Sequence, residues 1–520
     1  MNTKLKQIFE NISNDTSVIL EPKEYHIFPE DAFHLNGFYC SNTATEEENP
    51  NGERISVFYL ENKKNVTIDG NGASIIIHGV MTPFLFRNCE NICLKNLTVD
   101  YYRPTMSEFF VEERMAEKAV FSIDRQFPFE IRENQLIWKG ENWEHAYKGE
   151  GILSMYYQTD TEYCRFLKRD VGDKFPSVPT IEKAEMLSDG KVAVTFKYKD
   201  SFLPKGCIVQ TRDVARKQLG GFFERCKNLI LENLRIKSMH GFGLLFQFCK
   251  NTTLNGLDCT PAQGRTIACN ADFFHFSGCN GFIKIENCKA AGAHDDFVNI
   301  HGTYLEVVKK KQDGIVVRFV NPNTWGFQAF AKKDKIAFVS KKTMLPHYQA
   351  EVLEYKKLGN KEIYLKLKDF NAKAVDIGDA VDNLSAYPEI YIQRNTFGPS
   401  MGRGVLCTSH KKTIIKDNLF YKLGGTVLLL SGDCNFWFES GRCGEVIFEN
   451  NILDACGYGV DENATALFYV DPVVLEEVSN TYYHRKLMIR NNQIKNEIDH
   501  NFGVLAHGIK EIIMSGNQKN

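Results

Sequence analysis

Charge of one sign, long apolar runs and zinc-type cysteine pairs are all missing from this sequence. Lys and Arg number 63 against 65 Asp and Glu in 520 residues, so no basic face or stripe is available to neutralise nucleic-acid phosphate. No stretch approaches the roughly 18 apolar residues that a membrane span needs; GFGLLFQFC and TVLLLSG are the greasiest and fall far short. The N-terminal MNTKLKQIFENISND has no continuous apolar h-region. The chain therefore reads as cytoplasmic as written, and as secreted or periplasmic if a leader precedes it. Fifteen cysteines are present, but no Cys-x-x-Cys pair is followed by a second at zinc-finger spacing, and a chain this long needs no disulfide staples. Buried, reduced thiols are expected. No GxGxxG or phosphate loop occurs, and patterns for helices of ten or more residues are nearly absent.

What is present is a repeat. A Cys, an Asn or a substitute two residues later, an apolar alternation and a closing Asn or Gly recur as CENICLKNL (89–97), CKNLILENL (226–234), CKNTTLNGL (249–257), CNGFIKIENC (279–288) and CGEVIFENN (443–451). Weaker copies are NVTIDGNG (65–72), KKTIIKDNLF (411–420) and KLMIRNNQI (486–494). The spacing from Cys226 to Cys249 is 23, and from Cys249 to Cys279 it is 30. Each copy holds a short period-two strand closed by a residue tolerant of left-handed backbone. A leucine-rich repeat would show an L-x-x-L-x-L core with a helix, and a propeller would need four strands per period of about 40. The pattern instead predicts an all-β chain, a right-handed parallel β-helix whose Cys and Asn stack as structural ladders and not as metal ligands.

Two stretches interrupt the repeat and read as antiparallel strands, for example KVAVTFKYKD (191–200) and the hairpin signalled by Asp313-Gly314. The expected organisation is an N-terminal cap and first coils over 1–100, an inserted β-barrel-like module over 101–215 and central coils over 216–302. A second such module over 303–388 and C-terminal coils over 389–520 complete it. An exposed face on an inserted module is expected to serve a homodimer.

The chemistry concentrates between Gly264 and Gly302. Asp272 precedes the adjacent Asp295 and Asp296 by one coil length of 23, so stacking should gather three acids. Like charges within about 5 Å force at least one to keep a proton near neutrality, the requirement for acid/base hydrolysis. Adjacent residues on an extended chain diverge, so one of the pair stacks while the other opens a gap of roughly 6.5–9.5 Å, that of an inverting glycosidase.

The block ADFFHFSGCNGFIKIENCKAAGAHDDFVNIHG resembles the core of glycoside hydrolase family 110, the α-1,3-galactosidases that release terminal α-linked galactose, including from blood-group-B-type glycans. DYYRP (100–104), HGFGLLFQFC (240–249), NTWGFQAF (323–330), MGRGVLCTS (401–409) and GDCNFWFESG (432–441) extend the resemblance. It implies the same β-helix with two barrel insertions, an α-galactosyl glycan as substrate, inversion, no metal or cofactor, and catalytic roles for Asp272, Asp295 and Asp296. By fold-level analogy with polygalacturonases, Asp295 would be the acid and Asp272 with Asp296 the water-holding pair. The apolar face that galactose presents packs on aromatics, making Trp437 a candidate and Trp325 a weaker one, better explained by core packing. Arg265, Asn299, His301, Arg403, Asp433 and Glu439 are candidates for the hydroxyls. A pectin-active β-helix fits less well: Arg235-Ile236-Lys237 stands before the acid pair and no Gly-His-Gly occurs. A non-catalytic glycan-binding β-helix would have no need of three acids.

Overall fold

The computed structural model describes residues 3–146, 152–167, 179–198, 203–213, 215–459, 466–495 and 503–519. The last two residues of the 191–200 strand pattern lie outside these, as do parts of the 101–215 and 389–520 stretches. Among the described residues one α-helix, Thr3–Glu10, caps the first coil. It buries Leu5 and Phe9, with the Phe9 ring edge-on to Phe58 at 4.7 Å.

Beyond the cap the chain winds as a right-handed parallel β-helix with three short strands per coil. One coil runs Leu244–Gln247, Lys250–Asn255 and Asp258–Cys259; the next runs Phe274–Ser277, Asn280–Glu286 and Lys289–Ala290. Strand pairs with strand in parallel all the way up, Leu244↔Phe274, Thr253↔Lys284 and Asp258↔Lys289. The alternation in each repeat copy puts every second side chain inside, where identical types stack. Phe223, Phe246 and Phe276 form a column with ring centroids 4.8 and 4.5 Å apart, each ring worth about 1.5–3 kcal/mol of burial.

The ladders read from the repeat are structural. The Cys226, Cys249 and Cys279 thiols donate to Phe86 O, Phe223 O and Phe246 O of the coil before, at 3.5, 3.2 and 3.3 Å. All fifteen cysteines are unpaired and only Cys93 is not fully buried; burial pushes the Cys226 and Cys249 thiols far up, which makes them unreactive. On the outer corner Asn91, Asn228 and Asn251 adopt left-handed backbone, φ 54–59°, and pass amide hydrogen bonds Asn91→Asn65, Asn228→Asn91 and Asn251→Asn228 of 2.7, 2.7 and 2.9 Å. Gly281 ends the run: at φ +71° a Cβ there would lie 2.1 Å from Asn251 Oδ1, and the register slips by one residue beside it. A second, buried amide ladder links Asn395, Asn418, Asn451, Asn492 and Asn517.

Both insertions are antiparallel. In the first, seven strands from Ser107–Arg114 to Cys207–Asp213 form one sheet, against which a three-stranded sheet (Phe129–Arg132, Gln135–Gly140, Trp143–Ala146) packs around Phe109, Phe121 and Trp138. Its described strands stay open at Cys164–Phe166 and Ile181–Ser188, whereas the second module, Leu305–Lys311 to Ala380–Asn383, is a closed six-stranded barrel. No described helix is long and apolar enough to cross a membrane.

Candidate active site

Three successive coils carry a polar residue two positions before the strand on the same face. Phe274 pairs with Val298 and Val298 with Val405, so Asp272, Asp296 and Arg403 stand in one column. The coil length here is 24, not 23. Asp296, not Asp295, is therefore in register with Asp272, and a slip of one residue is the difference between stacking and diverging. The second barrel separates Asp296 from Arg403 by 107 residues in sequence, yet the two are one rung apart.

The backbone amide of Asp296 donates to Asp272 Oδ1 at 3.1 Å. Arg403 grips Asp296 with both arms, Nε–Oδ1 2.5 Å and Nη2–Oδ2 3.0 Å, and reaches Asp295 Oδ1 at 3.4 Å. The side chains of Asp272 and Asp296 are 6% and 0% exposed, that of Asp295 40%. One oxygen from each lies within 4.8 Å of the others, so the winding gathers the three acids at one place. Burial pushes Asp272 up to about 7, helped by the charge of Asp295. It also pushes Asp296 up, against the opposing pull of Arg403. A cluster of this kind retains a shared proton near neutrality. The spacing would suit a cation, but the Arg403 guanidinium already supplies the counter-charge to both oxygens of Asp296.

These groups line a cavity of about 160 Å³ together with Asn299, His301, Asp433, Trp437 and Glu439. Asn299 Nδ2 reaches Asp272 Oδ2 at 3.4 Å, while its buried Oδ1 has no hydrogen-bond partner among the described residues. Trp437 is half-exposed at the cavity wall. Asp433, expected to meet a sugar hydroxyl, spends its oxygens on the backbone amides of Asn435, Phe436 and Trp437, and so shapes the loop that presents the indole. Arg265 is the misplaced candidate: its guanidinium pairs with Asp100 at 2.9 and 2.6 Å and it does not line the cavity. Trp325 is core, its Nε1 donating to Ala44 O at 3.0 Å.

Among the lining residues that the sequence did not single out are Asn42, Arg216 and Phe242. Asn42, in the cap, donates to Glu439 Oε1 at 2.7 Å across 397 residues. Arg216 donates to Asn42 O at 3.0 Å and lies 5.2 Å over the Phe242 ring. Phe242 lies in HGFGLLFQFC (240–249), already part of the resemblance; no local motif marks Asn42, and for Arg216 the position of DVARKQLGG at the end of the first insertion was the available hint.

The family described as GLAA-B beta-barrel domain II matches residues 314–381, within the closed barrel. An alpha-1,3-galactosidase A of Bacteroides fragilis (strain YCH46) is 31% identical over 439 residues, 84% of this chain and 70% of its own. Another from Akkermansia muciniphila is 32% identical over 440 residues, 84% of this chain and 71% of its own. An alpha-1,3-galactosidase B of Parabacteroides distasonis is 28% identical over 510 residues, 95% and 81% respectively. An exopolygalacturonase from Thermotoga maritima aligns over 99% of this chain and 96% of its own with a TM-score of 0.33 and 11% identity, too weak a likeness to bear on function. Coils, barrel and acid pocket together define a β-helix glycoside hydrolase. At the identity and coverage of its relatives, the chain belongs to the α-1,3-galactosidase family, glycoside hydrolase family 110.

Proposed function

We propose that this protein is an exo-acting, inverting α-1,3-galactosidase that removes terminal galactose from linear or fucose-branched (blood-group-B) glycans. The observation that carries the reading is the Asp272–Asp295–Asp296 triplet lining a small pocket. Asp295, the most exposed of the three, stands where a leaving sugar exits and gives its proton to the glycosidic oxygen. Asp272 and Asp296 hold the attacking water: two oxygens within 4.8 Å match one water making two bonds of about 2.8 Å. The water's proton passes to that pair as its oxygen bonds to C1 from the face opposite the leaving group, which yields β-galactose. Arg403, paired with both oxygens of Asp296, opposes the upward push that burial gives it and so favours its ionised form. Trp437 offers the apolar sugar face a platform, and Asn299 and Glu439 meet the hydroxyls, while His301, with both nitrogens engaged by Gly302 O and His275, lines the wall.

The test is to incubate the protein with p-nitrophenyl α-galactoside, galactosyl-α-1,3-galactose and polygalacturonate, with and without EDTA, and to follow the first released anomer by NMR. Early β-galactose, insensitive to chelator, is expected. Asp295→Asn and Asp296→Asn should lower kcat by at least about 10³-fold in folded protein, given the 10²–10⁴-fold contribution of one acid or base. Early α-galactose, or cleavage of polygalacturonate alone, would overturn the reading.

A further inference from the structure

Behind Asp272, away from the water, runs a chain of two buried histidines. His275 Nδ1 lies 2.8 Å from Asp272 Oδ2, His275 Nε2 lies 2.9 Å from His301 Nε2, and His301 Nδ1 lies 2.6 Å from the carbonyl oxygen of Gly302. The last contact fixes the polarity. A carbonyl oxygen only accepts, so His301 Nδ1 carries a hydrogen. In a neutral His301 the other nitrogen is bare and accepts from His275 Nε2–H, leaving His275 Nδ1 bare as well. A bare nitrogen this close to a carboxylate oxygen would set lone pair against lone pair. One further proton has to lie there.

We propose that His275 and His301 are positioning residues that hold one excess proton on the chain Asp272–His275–His301, and that this proton sets the charge of Asp272 without being released to solvent. In the free protein it rests on Asp272 Oδ2, donated to His275 Nδ1. Two hops move it: Oδ2–H passes to His275 Nδ1 while His275 Nε2–H passes to His301 Nε2. The products are a carboxylate at Asp272 and an imidazolium at His301, with no net change in protons. Asp272 becomes the base that the hydrolysis needs.

The surroundings fit this balance. Burial holds His275 well below the usual histidine range and lifts Asp272, favouring the resting arrangement. Arg216 opposes positive charge on His275, whereas Asp295 and Glu439 favour it; Glu439 Oε1 stands 3.5 Å from His301 Nε2, ready to face the imidazolium. Asp296 and Arg403 act on Asp272 from the coil above and the next.

The first test needs no substrate. Histidine-selective ¹⁵N NMR of the full chain, from pH 5 to 9, should show near pH 6 His301 protonated at Nδ1 and His275 at Nε2, assigned with His275→Phe and His301→Phe. Either ring as a tautomer mixture titrating near the ordinary value of about 6.5 would overturn the proposal. The second test uses activity and rests on the galactosidase reading. Without the relay, Asp272 ionises only by giving its proton to solvent. In His275→Phe the acidic limb of kcat should therefore rise toward neutrality, with kcat at pH 6 down about 100-fold, a smaller loss at pH 8 and KM within about threefold. A kcat loss with the limb unmoved would mean packing alone and sink the idea. If no α-galactoside is turned over, the NMR result still decides the proton chain.

Discussion

Replacing Asp272 with Asn should make this protein more stable as it makes it inactive, and the gain should grow with pH. The side chain is 6% exposed and its carboxyl is lifted from an ordinary 3.8 to about 7 in the fold. Between those values the native state keeps a proton that the unfolded chain has already released. Raising the pH through that window therefore destabilises the native protein, by about 1.4 kcal/mol per pH unit for a full proton difference. From 3.8 to about 7 the loss comes to about 4 kcal/mol, complete above pH 7. Asn does not titrate and fills the same volume, so the variant escapes the loss. Glu108, also pushed up to about 7 by burial, is common to both proteins and cancels. The assay is urea unfolding of wild type and Asp272→Asn at pH 4, 5, 6, 7 and 8, with kcat in parallel. The variant should match wild type at pH 4, gain through pH 5–7 and level off near about 4 kcal/mol, with kcat down by orders of magnitude throughout. A stability difference independent of pH, or a less stable variant at pH 8, would refute the claim that the pocket buries this carboxyl at a cost.

Further substitutions separate the groups of the pocket. Arg403→Met removes the guanidinium from a fully buried carboxylate; the expected loss is about 3 kcal/mol at alkaline pH, shrinking as the pH falls and Asp296 takes a proton, with kcat falling alongside. Arg265→Leu breaks the bidentate pair with Asp100 and should lower the unfolding midpoint while leaving KM and kcat at wild-type values; a tenfold rise in KM would restore Arg265 to the sugar site. Trp437→Ala should raise KM about tenfold, roughly 1.4 kcal/mol of lost sugar packing, with kcat changed far less.

How much of this was legible before the structure depends on whether a feature repeats. The Cys and Asn ladders announce themselves because a solenoid reuses one corner geometry: Asn91, Asn228 and Asn251 share a left-handed backbone and hand the same amide bond upward. Stacking of the acids follows from coil length, but which acid stacks turns on a single residue, 24 against 23. That residue is the one inserted beside Gly281, where Asn280–Glu286 slips register against Lys250–Asn255 and breaks the period-two count. Arg265 failed for a related reason. Its neighbours in sequence lie on the turn leading to Asp272, yet its partner Asp100 comes from another coil 165 residues earlier. Proximity along the chain is a poor guide at coil corners, where side chains point to different faces.

The insertions explain the remaining gap, because they build the site without containing its three acids. From the first module, Glu108 accepts from Thr266 N, Thr266 Oγ1 and Ile267 N at 2.9–3.2 Å, fixing the turn that leads into Asp272. From the same sheet, Arg212 donates to His294 Nδ1 at 3.2 Å and Gln210 Oε1 lies 3.2 Å from His294 Nε2, anchoring the residue beside Asp295. The second module emerges between Asp296 and Arg403 and returns the chain in register one rung higher. A parallel solenoid tolerates such excursions because each module closes its own core and gives back the strand where it left it. The acids are therefore held from two directions: by coil register, which brings Asp272 under Asp296, and by buried side chains of an insertion, which fix the turns on either side. Register alone would leave those turns as free in conformation as any surface loop. A buried carboxyl lifted to about 7, as that of Asp272 is, depends on its surroundings staying in place, and the first module fixes those turns at the expense of burying Glu108.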